Sequence, residues 1–387
     1  MNATQLPAPS AHAQQHSQQL SHLIRERIHQ AGTQIPFNEF MQLALYTPGL
    51  GYYCGGAQKF AAAGDFITAP EISPLFGHCL ANQCLQVLSI TGGDILEFGA
   101  GSGKLALDLL SRLKQLNALP THYYILEVSA ELIARQKHTI KESAPDLYER
   151  ITWLNQLPTH FTGVMLANEV LDAMPIHHFY FDNNQLHESF VSEQSSGFCW
   201  SSGQPTSLLQ PHAEHLIKTL PKIDRPYCSE INCFLPAFIT SLSESLTQGA
   251  VFLIDYGFPA HEFYHPDRYM GTLMCHYRHF AHTDPFFLPG LQDITAHVDF
   301  TAVAHAAVQA GFDVLGFTNQ ASFLINAGLV EIREAITATK EQIKANQAIK
   351  KLSLPSEMGE LFKIIALGQQ INDELIGFQA NNQLFRL

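Results

Sequence analysis

The 387-residue chain is long enough for one large domain or two of ordinary size, and its 46% apolar content excludes wholesale disorder. Its 22 basic and 35 acidic residues leave a formal charge of −13, which argues against a surface built to neutralise nucleic-acid phosphates. No apolar run approaches the ~20 residues that span a bilayer, and seven cysteines without a C-x-x-C pair fit reduced thiols better than a disulfide framework.

Residues 1–20 carry no Lys or Arg and no apolar stretch. They read as a disordered Gln/His/Pro/Ala tail, neither a secretory signal nor an Arg-rich transit peptide, so a cytoplasmic location is expected. Residues 21–90 read as an N-terminal region of helices over 19–31 and 37–45, a Gly/Pro-rich loop over 47–77, and a helix over 75–90 with Pro74 at its first turn.

From residue 91 the pattern changes. Strands at 94–98, 122–128, 151–154 and 163–167 alternate with helices at 104–117 and 130–142. That rhythm predicts an α/β domain over 91–387, with a parallel sheet covered by helices on both faces. Residues 176–228 break it; they alternate in polarity around Asn183-Asn184 and predict an inserted antiparallel hairpin. A helix over 229–247, a strand over 250–255, a polar loop over 257–296, a helix over 300–310 and strands at 312–317 and 362–367 complete the reading.

The sharpest local signal is Glu97-Phe98-Gly99-Ala100-Gly101-Ser102-Gly103 between a strand and a helix. Glycines there let the backbone turn tightly against a ligand, at a helix N-terminus whose dipole end is positive. The spacing departs from the dinucleotide fingerprint G-x-G-x-x-G, because Lys104 follows Gly103. An acid two residues before Gly99 can hold an ammonium group, and Glu127 at the end of the next strand can accept both ribose hydroxyls. A ligand with an ammonium, a ribose and no pyrophosphate fits this set: S-adenosylmethionine. A nicotinamide oxidoreductase is the alternative that the glycine spacing disfavours.

Asn168 and Glu169 follow the fourth strand, at the sheet edge where open α/β folds hold ligands. Glu169 and Asp172 are three apart, so a helical turn would put both on one face. Two carboxylates beside a methyl donor suit a cationic nucleophile such as a guanidinium. His297 and Asp299 flank Val298, and an extended segment would point both the same way, to orient a substrate or accept a proton. Cys275, His276, His279 and His282 share a Pro/Gly-interrupted loop that gives little support to a metal site, and none is expected.

The segments 64–77, 95–110, 123–132, 166–175, 253–257 and 292–300 together resemble the MidA family of class I S-adenosylmethionine-dependent methyltransferases, whose mitochondrial members are the assembly methyltransferase of respiratory complex I. The likeness covers about residues 36–370. It implies a seven-stranded Rossmann-like methyltransferase sheet and dimethylation of arginine on a protein substrate, a respiratory-complex subunit in the mitochondrial members. Carried over, Glu97, Gly99, Gly101 and Gly103 would bind the methionine moiety and Glu127 the ribose. Asn168 and Glu169 would line the transfer pocket, and Asp65, Thr68, Pro70 and Glu71 would cover it. The loop reads GAGSG where mitochondrial relatives look more like GPGRG, which bears on substrate identity rather than on cofactor binding. The rival readings are a noncatalytic assembly factor that binds the same cofactor and a small-molecule methyltransferase. The 176–228 insertion and the 257–296 loop are large enough to shape a protein-docking face, and the oligomeric state stays open.

Overall fold

The computed structural model describes residues 6–55, 68–195, 197–219 and 225–387. The chain divides into two compact units. One comprises Ile67–Leu171, Leu235–Ala260 and Val298–Leu387; the other comprises Met1–Phe66, Asp172–Phe234 and His261–His297. The N-terminal segment, the expected insertion and the expected loop thus share a unit, whereas the helix Pro74–Thr91, grouped with the N-terminal region at the sequence level, belongs with the sheet.

The first unit holds eight strands in one sheet: β1 (Asp94–Phe98), β2 (Tyr123–Leu126), β3 (Ile151–Leu154), β4 (Phe161–Asn168), β5 (Leu246–Phe258), β6 (Val298–Asp299), β7 (Asp313–Asn319) and β8 (Phe362–Gln369). The order is β7-β8-β5-β4-β1-β2-β3, and the two-residue β6 adds to β5. Strand β8 runs antiparallel to both its neighbours, while β5, β4, β1, β2 and β3 pair in parallel. The apolar runs of β4 and β5 follow from burial on both faces. Val164, Leu166, Ala250, Phe252 and Ile254 join a core with Leu80, Leu109 and Leu113 of the helices Pro74–Thr91 and Lys104–Gln115. The residues between them, Met165, Val251 and Leu253, are equally buried on the opposite face.

In the second unit every pairing of the five-stranded sheet is antiparallel. Its Gln185–Gln194 strand pairs with Gln34–Pro36, His177–Asp182 and Gly197–Gly203, and Tyr227–Ile231 adds beside His177–Asp182. Asn183 and Asn184 turn the first hairpin with φ of 50° and 61°, the left-handed pair that a two-residue hairpin requires.

Three sequence expectations are corrected. Residues 11–20 are the first half of a helix, Ala11–Gln30, which Ser10 caps by accepting from the Ala13 amide at 3.2 Å. The buried stripe Leu20, Ile24, Ile28 continues back through Ser17 and Ala13, residues too small or too polar to register as an apolar period. The 229–247 stretch is a strand end and a shorter helix, Leu235–Ser245, because Asn232 Oδ1 takes the Phe234 amide in a local turn. The 257–296 loop contains a short helix, Ala260–Phe263, and a three-stranded sheet of Met274–Tyr277, Phe280–His282 and Asp293–Thr295, strands too short to show alternation.

Candidate functional site

Strand register brings the candidate residues to one edge. Phe98 of β1 lies opposite Leu126 of β2 and Ala167 of β4, and Asn168 lies opposite Ile254 of β5. Glu97, the glycine loop, Glu127, Asn168, Glu169 and Asp255 therefore gather at the carboxyl ends of adjacent parallel strands, where open α/β sheets place their ligands.

Gly101 has φ of 53°, and a Cβ built on it would meet no atom within 4 Å. The glycine is needed for the left-handed turn and not to avoid a neighbour, so the space beside its backbone is open to a ligand. Gly103, at φ 85°, is the N-cap of the helix Lys104–Gln115 and packs against Gln136.

Glu97 is 3% exposed, and its Oε2 accepts a 2.7 Å hydrogen bond from the Tyr123 hydroxyl. Burial pushes its carboxyl up to about 7, against the pull of Tyr123 and with some help from Glu127. Burial also raises the Glu127 carboxyl, and hydrogen bonds from the Ser129 amide and Gln136 oppose that. The Ser129 bond reaches Oε1 at 3.0 Å and the Gln136 bond reaches Oε2 at 3.0 Å.

Among the cover residues, Thr68 is the N-cap of a short helix, Ala69–Ile72, with Pro70 in its first turn. Glu71 accepts from the Ser102 hydroxyl, so this segment touches the glycine loop. Asp65 lies outside the described residues.

Glu169 has φ of 54°, left-handed and costly for a side chain that bulky. It is held there because its amide donates to Ile254 O at 2.9 Å. Asn168 Nδ2 donates to Glu169 Oε1 at 3.1 Å, and Asp255 Oδ2 accepts the Leu171 amide at 3.0 Å. These bonds replace helical ones, so Glu169 and Asp172 do not share a helix face as the spacing suggested. Asp172 falls in the second unit, where its backbone oxygen accepts from the Ala296 amide at 3.0 Å. There too, Tyr53 donates to Asp293 Oδ1 at 2.8 Å, and burial first, then Asp293 and Asp172, raise its phenol well above the ordinary value.

His297 is also in the second unit; its amide donates to Thr272 Oγ1 at 3.0 Å. Asp299 caps the helix Phe300–Gln309, its Oδ1 accepting the Thr301 and Ala302 amides at 3.0 and 3.1 Å.

The family model for S-adenosyl-L-methionine-dependent methyltransferases matches residues 79–318, which include the glycine loop, Glu127 and Glu169. The chain belongs to that family. A superfamily member from Burkholderia thailandensis, solved bound to S-adenosyl-homocysteine, superposes with a TM-score of 0.94 at 43% identity, covering 99% of this chain and 100% of that one. The protein arginine methyltransferase NDUFAF7 homolog of Caenorhabditis elegans is 27% identical over 85% of this chain and 82% of its own length. The human protein arginine methyltransferase NDUFAF7 is 28% identical over 85% of this chain and 79% of its own.

S-adenosylmethionine is the cofactor of this methyltransferase, and the acceptors present fit it. Two near-buried carboxylates, Glu97 and Glu127, flank a backbone turn with open space at Gly101, and this set matches an ammonium and a ribose. Sequence reasoning missed Asp255, which sets the turn after Glu169, and Gln136, which bonds Glu127 from the middle of an ordinary-looking helix. The only signal for Gln136 was a polar residue on the stripe Leu132, Gln136, Ile140.

Proposed function

We propose that this methyltransferase modifies a nitrogen of a partner protein, namely an arginine guanidinium. The observation that carries the reading is Glu169: a carboxylate held in a strained backbone conformation at the ligand edge of the sheet, with its rotamer fixed by Asn168. The relatives named as protein arginine methyltransferases support the same substrate class.

The cofactor brings an electrophilic methyl group. Glu97 would hold its ammonium and Glu127 its ribose, while Glu71 would tether the cover segment to the glycine loop through Ser102. Glu169 would bind the guanidinium by charge-assisted hydrogen bonds. Its negative charge draws the positive charge away from the attacking nitrogen and localises a lone pair there. The methylated nitrogen then carries one proton in excess, and Glu169 would receive it. Positioning supplies most of the acceleration.

The test compares methylarginine by mass spectrometry in proteomes of cells that carry the protein, lack it, or carry Glu169→Gln. Loss of the same methylarginine peptides in the last two supports the reading. Identical methylarginine in all three removes arginine as the substrate.

A further inference from the structure

Gln136 is fully buried on the inner face of the helix Ala130–Ser143, between Leu132 and Ile140. A buried amide is costly unless its bonds are made. Here all the amide's main capacities are used. Nε2 donates to Gly101 O at 3.1 Å and to Glu127 Oε2 at 3.0 Å, while Oε1 accepts from the Trp153 indole at 2.8 Å. The orientation is unambiguous: an indole N–H only donates, and a backbone carbonyl only accepts. Trp153 therefore prevents the amide from flipping.

Both acceptors belong to the cofactor edge. Gly101 O fixes the peptide plane of the glycine turn, and Glu127 is the carboxylate assigned to the ribose. A leucine would fill the stripe as well, and a bond made only to pin helix to sheet would not need to reach two elements of the ligand site.

We propose that Gln136 is a positioning residue that locks the Glu127 carboxylate and the Gly101 carbonyl into one frame, and so gives the site its preference for a ribose diol. The proposal rests on the reading of Glu127 as the ribose acceptor. Without the amide, Glu127 loses a donor that favours its ionised form, while the Ser129 amide at Oε1 still holds the carboxylate. The glycine turn loses a tether at the same time.

The experiment measures the affinity of S-adenosylhomocysteine and of its 2′-deoxy analogue for the wild type, Gln136→Leu and Glu127→Ala, across pH. Gln136→Leu is expected to weaken S-adenosylhomocysteine about ten- to a hundredfold. It should weaken the deoxy analogue much less, and move the rise in affinity with pH to higher pH. Equal weakening of both ligands by Gln136→Leu, with Glu127→Ala still selective against the diol, overturns the proposal and leaves Gln136 a packing residue. Unchanged diol preference in Glu127→Ala instead removes the ribose reading itself. Should Gln136→Leu not fold, the Trp153 indole N–H resonance, assigned with Trp200→Phe, gives an independent answer. It is expected to shift with pH in the wild type and to lose that step in Glu127→Gln. A step that persists in Glu127→Gln overturns the coupling.

Discussion

The Tyr123 hydroxyl donates to Glu97 from the neighbouring strand at 2.7 Å, and with burial opposing it the carboxyl still titrates near neutrality, at about 7. An ammonium ligand prefers the ionised form. Cofactor affinity should therefore rise as pH climbs through about 7, with uptake of ligand coupled to release of the Glu97 proton. Titration calorimetry in buffers of different ionisation enthalpy measures that release. Glu97→Gln should bind weakly and lose the step near 7, keeping only the pH dependence that Glu127 contributes; a wild-type pH profile in that variant would remove Glu97 from the ammonium.

The same carboxyl shapes stability. Its native value, about 7, lies above the ordinary 4.5, so the unfolded chain gives up this proton first as pH rises. Stability without ligand should fall between about 4.5 and about 7 and level off above, by on the order of 3 kcal/mol. Urea midpoints across pH are the measurement, and Glu97→Gln should flatten that part of the curve.

Glu127→Ala should weaken S-adenosylmethionine and S-adenosylhomocysteine to the same degree, since both carry the ribose. Loss of a charged acceptor costs roughly 1.5–3 kcal/mol per bond. Selective loss of one ligand would place Glu127 elsewhere on the cofactor.

Glu169→Gln keeps the side chain's volume and one acceptor oxygen but removes its charge. Cofactor affinity should stay within a few-fold, while the transfer step slows by about a hundredfold or more. Single-turnover methyl transfer to extract lacking the endogenous enzyme, at saturating cofactor, separates the two. Unchanged single-turnover rates would favour a noncatalytic role for the bound cofactor.

Gly101→Val should abolish cofactor binding. No neighbouring atom would meet a Cβ there, so the branched side chain would occupy the space open to the ligand, on a backbone at φ 53° that valine strongly disfavours. Wild-type affinity in folded Gly101→Val protein would move the site away from this turn.

What could be read from the sequence was whatever the chain writes locally. The Glu97–Gly103 loop is a glycine-punctuated turn that ends a short apolar strand, and Glu127, Asn168 and Glu169 stand at the ends of such strands, so strand ends located them. Asp255 was visible only as the tail of a strand, because its partner, the Leu171 amide, is distant in sequence. Gln136 was hidden for the same reason: its three partners lie on the glycine turn, after β2 and on β3. Glu169 and Asp172 misled because spacing assumes a helix, whereas hydrogen bonds to β5 hold Glu169 left-handed and break one.

Strand β8 lies between β5 and β7, although it is the last strand in the sequence. Until residues 362–369 have been synthesised, β5 is paired with β4 on one edge but has no partner on the other for its register from Gly249 to Tyr256, which includes Val251, Phe252, Leu253 and Ile254. An unpaired apolar edge of that length is a template for association with other chains. That edge therefore stays open from the completion of β5 at Phe258 to the completion of β8 at Gln369, and a message cut short before codon 362 should yield aggregate or degraded chain instead of a partly active enzyme. The cell receives this methyltransferase whole or not at all.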